Sequence, residues 1–171
     1  MKPIRTLARM ARQWSAFDAQ APAFRGNEEA IRQFVDLYEQ FRDWTESRLW
    51  LYDQQGTVDS KRVCAVARYC AKELKVTHLF VDSLMKCVAG EDDYNGQKGF
   101  VDELCAIARD HSIHIHLVHH IRKPEDETKR PNKYSYKGTG AITDQVDNVI
   151  SVWRNKTRER KLQVGAALSE K

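Results

Sequence analysis

The residue of this chain best suited to chemistry is Asp82, which follows the apolar run 77–81. A strand that ends in a carboxylate delivers it to the edge of a sheet, where it can hold the Mg²⁺ of a bound nucleotide. The pattern therefore predicts a magnesium site at Asp82. The alternative is structural, because many apolar strands end in aspartate without binding anything.

A histidine-rich stretch, Ile113–His120, offers a second kind of chemistry. Side chains alternate along a strand, so His114 and His116 share one face and cannot readily join His119 or His120 around a metal ion. Neither a cysteine nor a carboxylate completes a ligand set, and zinc is therefore not expected. His120, at the strand end, could hydrogen-bond a phosphate or be an ordinary structural histidine.

The sequence Lys-Gly-Thr-Gly at 137–140 places a cation beside two glycines. Lys137 and Gly138 could therefore bring a charge and a backbone N–H close to a phosphodiester. Basic residues precede this segment, in a long charged loop at 122–137 whose length is typical of functional loops. Acidic residues at 125–127 dilute the charge, so a solvated loop is the alternative.

Arg154 follows another apolar run, 148–153. A guanidinium at the end of a strand could donate to the γ-phosphate of a nucleotide held by a neighbouring subunit, as an arginine finger does. It could equally be a surface residue.

The side chains described above are positioned by helices and strands that are predicted to alternate along the sequence. Apolar periodicity predicts helices from Pro3 to about residue 11, from 31 to about 48, from a cap at Asp59 to about 74, and around 100–108, with a short turn or helix at 138–147. Nearly continuous apolar runs predict four strands, at 49–52, 77–81, 112–120 and 148–153. Such alternation indicates an α/β fold whose parallel sheet is covered by helices on both faces.

In open parallel sheets, ligands bind at the carboxyl ends of the strands. The residues expected there are Asp53, Asp82, His119, His120 and Arg154, so the candidate chemistry gathers at one edge.

Length and composition limit the function classes. The chain has 171 residues, about one domain, and a net charge of +4 that permits a polyanionic partner without requiring one. Its four cysteines lack metal-ligand spacing and are expected to be reduced thiols of a cytoplasmic protein, and no stretch is apolar enough to predict membrane insertion or export. No glycine is followed by lysine, so the G-x-x-x-x-G-K-[ST] phosphate loop is absent from the sequence.

The order of these motifs resembles the RecA-like motor domain of hexameric replicative DNA helicases, the group of DnaB, Twinkle and the phage primase-helicases. The resemblance covers residues 1–156. It rests on Met1-Lys2-Pro3, the strand 49–53, the Walker B-like Val81-Asp82-Ser83-Leu84-Met85, His119-His120-Ile121-Arg122-Lys123-Pro124, Tyr136-Lys137-Gly138-Thr139-Gly140-Ala141-Ile142, and Asp147-Asn148-Val149-Ile150 with Arg154-Asn155.

The resemblance implies a role for each candidate residue. Asp82 would position Mg²⁺ through water, His120 would sense the γ-phosphate of ATP, and Arg154 would reach the nucleotide of the neighbouring subunit. Arg122, Lys137 and Gly138 would face single-stranded DNA in the central channel of a hexameric ring.

The sequence departs from the family pattern in ways that bear on activity. The phosphate loop is missing, the catalytic glutamate would fall just before Met1, and Lys137 replaces an arginine. We therefore expect a partial RecA-like domain at 1–156, followed by a poorly ordered basic tail at 157–171, with no ATPase activity alone. The alternatives are a non-catalytic RecA-like DNA-binding or regulatory protein, a recombinase-like ATPase, and an inert product of a split gene.

Overall fold

Two groups of elements make up the chain in the computed structural model, which describes residues 3–18, 21, 26–54, 56–121, 130–132, 135–136 and 140–163. They belong to two units, residues 1–56 and 57–171, each with its own internal packing. Among the described residues, no helix combines the length and the apolar character that crossing a membrane requires.

The first unit contains two helices, α1 (Pro3–Ser15) and α2 (Glu28–Thr45). The side chain of Asn27 caps α2 by accepting a hydrogen bond of 3.1 Å from the backbone N–H of Ala30. Aromatic rings join the two helices. Trp14 lies 5.9 Å from Phe41 and 6.0 Å from Trp44 between ring centroids. Both helices were predicted from periodicity and are confirmed.

The strand predicted at 49–52 is wrong, because the described residues 49–54 form no strand. The backbone N–H of Leu49 instead donates to the Thr45 carbonyl in the turn that ends α2, at 3.1 Å. Leu49 and Leu51 line a shallow groove that also includes Pro3 and Leu7 of α1. Leu49 and Leu51 are therefore half-buried beside α1, whereas Trp50 and Tyr52 of the same run are exposed.

The second unit begins with α3 (Ser60–Lys72), which the Asp59 side chain caps through the backbone N–H of Lys61 at 2.7 Å, as predicted. A strand follows, β1 (His78–Asp82), and then a 3₁₀ turn at Leu84–Lys86. Next come α4 (Tyr94–His111) and β2 (His114–Val118). Two short helices complete the described part, α5 (Ala141–Gln145) and α6 (Lys156–Gln163).

The strands β1 and β2 are parallel, with His78 opposite His114 and Asp82 opposite Val118. This confirms a mixed α/β architecture with a parallel sheet, at the scale of two strands. The predicted strand at 148–153 is wrong, since no strand is assigned to these described residues and the side chains of Ile150 and Val152 are 83% and 93% exposed.

The core of the second unit lies on one face of the sheet, where α3 and α4 pack. The prediction of helices on both faces is wrong for the described residues, because the opposite face is open and Phe80 on it is 70% exposed. Leu84 and Cys64 are fully buried at its centre. The other buried members are Ala67, Ala71, Val81, Cys87, Val88, Phe100, Val101, Leu104, Ile107, Ile113 and Ile142. Arg68 of α3 also donates to Glu103 of α4 at 2.9 Å, a half-exposed ion pair that contributes less than about 1 kcal/mol. Burial of apolar side chains therefore supplies most of what fixes β1 against the helices.

Candidate functional site at the carboxyl ends of the strands

Asp82 is the last residue of β1 and its side chain is exposed. The residues after it are held firmly, because Ser83 is buried and Leu84 is fully buried in the core. The Ser83 carbonyl accepts a hydrogen bond from the Lys86 backbone N–H at 2.9 Å, which closes the 3₁₀ turn. The peptide bond between Asp82 and Ser83 is cis. The carboxylate thus projects to solvent from a well-anchored strand end.

His119 and His120 follow β2 at the same edge, because parallel strands end on the same side and Val118 pairs with Asp82. His120 is exposed and His119 is half-buried. The ring of His119 stacks on Tyr136, with 6.0 Å between centroids and 12° between ring planes. The structure therefore brings Asp82 and His120 to one edge of the sheet, as the sequence predicted. Asp53 was predicted at the same edge, and this is wrong because Asp53 follows no strand in the described residues.

Tyr136 ties two further segments to this edge. Its backbone forms an isolated antiparallel bridge with Ile121, three residues beyond the end of β2. Its hydroxyl lies 2.7 Å from Oγ of Ser151, a hydrogen-bond distance. Tyr136 directly precedes the Lys-Gly-Thr-Gly segment, and Ser151 lies three residues before Arg154. Both are therefore connected to the residues that follow β2. Sequence reasoning gave Tyr136 no role, since Ile121 and Ser151 are each 15 residues away from it along the chain.

Arg154 is held within its own segment. Its Nε donates to both carboxylate oxygens of Glu159 in α6, each at 2.8 Å. This hydrogen bond raises the pKa of Arg154 and lowers the pKa of Glu159 from their ordinary values. The Arg154 side chain nevertheless remains 73% exposed. The structure shows Arg154 engaged with Glu159, and in the part of the chain that the structure describes its polar contacts do not include Asp82 or His120.

The predicted nucleic-acid residues Arg122, Lys137 and Gly138 lie outside the described residues. Arg130, from the same basic loop, is described, and its guanidinium lies over the ring of Trp153 at 5.5 Å from the centroid. This cation–π contact places a positive charge and an aromatic face together, one residue before Arg154. The only signal for it in the sequence is a tryptophan at the end of an apolar run.

No group of three or more His, Cys, Asp or Glu side chains is arranged to hold a metal ion in the described part of the chain. Magnesium makes a different demand, because it keeps several waters and is commonly held by one or two carboxylates together with the phosphates of the substrate. A single exposed carboxylate at a strand end suits that chemistry, and Asp82 is such a group.

The chain matches no known family model and no curated protein.

Proposed function

We propose that this chain is the magnesium, sensor and DNA-loop portion of a RecA-like, ATP-dependent DNA helicase motor. The observation that carries the proposal is the shared edge of the parallel pair, where Asp82 ends one strand and His120 follows the other. Ligands of open α/β sheets bind at such edges. The order of the sequence motifs along the chain supports the same assignment.

In this proposal, each residue acts through its ordinary chemistry. Asp82 accepts hydrogen bonds from water molecules around the Mg²⁺ that accompanies ATP. This Mg²⁺ ion neutralises charge on the phosphates. His120 donates a hydrogen bond to the γ-phosphate from the neighbouring strand end. Arg154 exchanges its contact with Glu159 for the phosphate of the adjacent subunit, in a homo-oligomeric ring.

Contacts to single-stranded DNA are assigned to Arg122, Lys137 and Gly138. Tyr136 supports this assignment indirectly, because its contacts with Ile121 and Ser151 fix the point at which the chain enters the Lys-Gly-Thr-Gly segment. A lysine and glycine backbone N–H groups position phosphates without reading base sequence.

This portion is not expected to hydrolyse ATP alone. The sequence has no glycine-rich loop with a following lysine, so it lacks the backbone N–H groups and the cation that cradle the β- and γ-phosphates. ATP turnover therefore requires a phosphate loop supplied from elsewhere.

The test combines an ATPase assay with fluorescence anisotropy of a labelled oligo-dT strand. We expect no ATP turnover, and DNA binding that weakens with salt and is reduced by Lys137→Ala, with a salt slope lower by about 0.7. Lys72→Ala is the matched control, since it removes one charge from the exposed last turn of α3, before β1 begins. DNA-stimulated turnover abolished by Asp82→Asn would contradict the proposal, as would equal effects of the two lysine variants.

A second candidate is a non-catalytic DNA-binding or regulatory protein built on the same fold. The observation that favours it is the contact of Arg130 with Trp153, because a cation beside an aromatic ring is typical of surfaces that bind single strands. This candidate needs Arg130 and Lys137 but not Asp82. DNA binding that depends on those two residues, with no Mg²⁺-nucleotide contact at Asp82, would select it.

A further inference from the structure

One face of the two-stranded sheet carries a group of histidines that the proposed nucleotide site does not use. Alternation along the strands turns Leu79, Val81, Ile115 and Leu117 toward the core. The opposite face therefore bears His78 and Phe80 from β1, and His114 and His116 from β2. Of these, His78, Phe80 and His114 are exposed and His116 is half-buried.

The parallel register brings these rings into contact. Nδ1 of His78 lies 3.1 Å from Nε2 of His116, and their ring centroids are 5.4 Å apart. Phe80 stacks flat on His116, with 4.2 Å between centroids and 5° between planes. The Phe80 ring thereby fixes the plane of His116, so that its nitrogen faces the nitrogen of His78.

We propose that His78 and His116 form a two-imidazole binding site for a divalent transition metal ion of the copper, nickel and zinc group. Imidazole nitrogen is a preferred ligand of these ions. When two nitrogens bind one ion at about 2.0–2.1 Å, the N–metal–N angle lies between the square-planar and the tetrahedral value. The two nitrogens are then about 2.9–3.4 Å apart. The 3.1 Å separation of the two ring nitrogens falls inside that range.

The same separation also describes a hydrogen bond between neutral rings, in which one nitrogen carries the proton. Metal binding requires a lone pair on both facing nitrogens. That proton therefore moves to the other nitrogen of its own ring, and no net proton is released from neutral imidazoles.

The site is limited to two protein ligands, because no set of three His, Cys, Asp or Glu side chains in the described ranges is arranged around a common ion. Water would fill the remaining positions. His78 escapes notice in the sequence, since it lies 36 residues before His114 and only the parallel pairing of β1 with β2 joins them.

The test is calorimetric titration of the untagged chain with CuCl₂, NiCl₂ and ZnCl₂, with electron paramagnetic resonance of the Cu²⁺ complex. We expect saturable binding with nitrogen hyperfine structure, in the order copper above nickel. His78→Ala and His116→Ala each remove one arm of the chelate, so each weakens binding by about 100-fold. His111→Ala, at the end of α4, removes a histidine from outside the sheet and is the matched control.

Circular dichroism shows whether each variant is folded, and His78→Gln keeps a polar side chain of similar size should the alanine variant fail to fold. Absence of saturable binding would overturn the proposal. So would unchanged affinity in either sheet variant, or an equal loss in His111→Ala. These outcomes are separate from the proposed nucleotide site, since they do not involve Asp82, ATP or DNA.

Discussion

Two glycines of α4 provide a matched pair of substitutions with different expected outcomes. Gly96 lies in the first turn, and its backbone N–H donates to Oδ1 of the capping residue Asp93 at 3.0 Å. A Cβ added to Gly96 would overlap the Asp93 carboxylate. Gly99, three residues on, is exposed, and a Cβ added there would meet nothing within 4 Å.

Gly99→Ala should stabilise the second unit by about 0.5–1 kcal/mol, because alanine costs less backbone entropy than glycine in a helix. Gly96→Ala gains a similar amount but displaces the cap, whose loss costs about 0.5–2 kcal/mol. The two effects nearly cancel, so Gly96→Ala should be less stable than Gly99→Ala by about 1 kcal/mol.

Native-state hydrogen exchange of the α4 core amides, Phe100 and Leu104 among them, measures this difference within the second unit. Adding Asp93→Ala to each glycine variant completes a double-mutant cycle. Once the cap is removed, Gly96→Ala should stabilise about as much as Gly99→Ala. Equal stabilisation by the two alanines with Asp93 intact would refute the reasoning.

Three other outcomes follow from burial and charge. Leu84→Ala should destabilise the second unit by about 3 kcal/mol in the same exchange measurement, because Leu84 is fully buried. As a control, Leu162→Ala should change the stability by less than about 0.5 kcal/mol, because Leu162 is 54% exposed. Burial, and after it the neighbouring Glu103, raise the pKa of Cys64 to about 12. A disulfide reagent at pH 8 should therefore label this thiol only after denaturation. Rapid labelling of Cys64 in the folded protein would contradict its burial. Arg154→Ala should raise the pKa of Glu159 toward its ordinary value in a carboxyl NMR titration. The depressed folded pKa means that the ion pair stabilises α6 above the unfolded pKa and ceases to do so as pH falls through the folded one.

The helices could be predicted from the sequence because their signals are local. The apolar periodicity of α1 and α2 and the capping aspartate before α3 lie within a few residues of the structure they specify. A strand forms only where a neighbouring strand pairs with it. The apolar run at 148–153 is similar in composition to the runs that form β1 and β2. Among the described residues this run has no neighbouring strand, and Ile150 and Val152 are exposed.

In the candidate site too, the sequence predicts the features with local signals and misses the contacts between residues that are distant along the chain. Asp82 could be predicted because a strand and its terminal carboxylate are adjacent in the sequence. The contacts of Tyr136 with His119 and Ser151, and that of His78 with His116, join residues from 15 to 38 positions apart. Such contacts follow from strand register and loop return, which periodicity does not encode.

The central proposal is that Mg²⁺ and a nucleotide bind at the carboxyl edge of the sheet, where β1 ends at Asp82 and His120 follows β2. Paramagnetic broadening of amide NMR signals by Mn²⁺ with ATP tests this most directly, because Mn²⁺ replaces Mg²⁺ at oxygen ligands. We expect the signals of Asp82, Ser83 and His120 to broaden first, and Asp82→Asn to abolish the effect. Broadening located elsewhere, or unchanged in Asp82→Asn, would contradict the account.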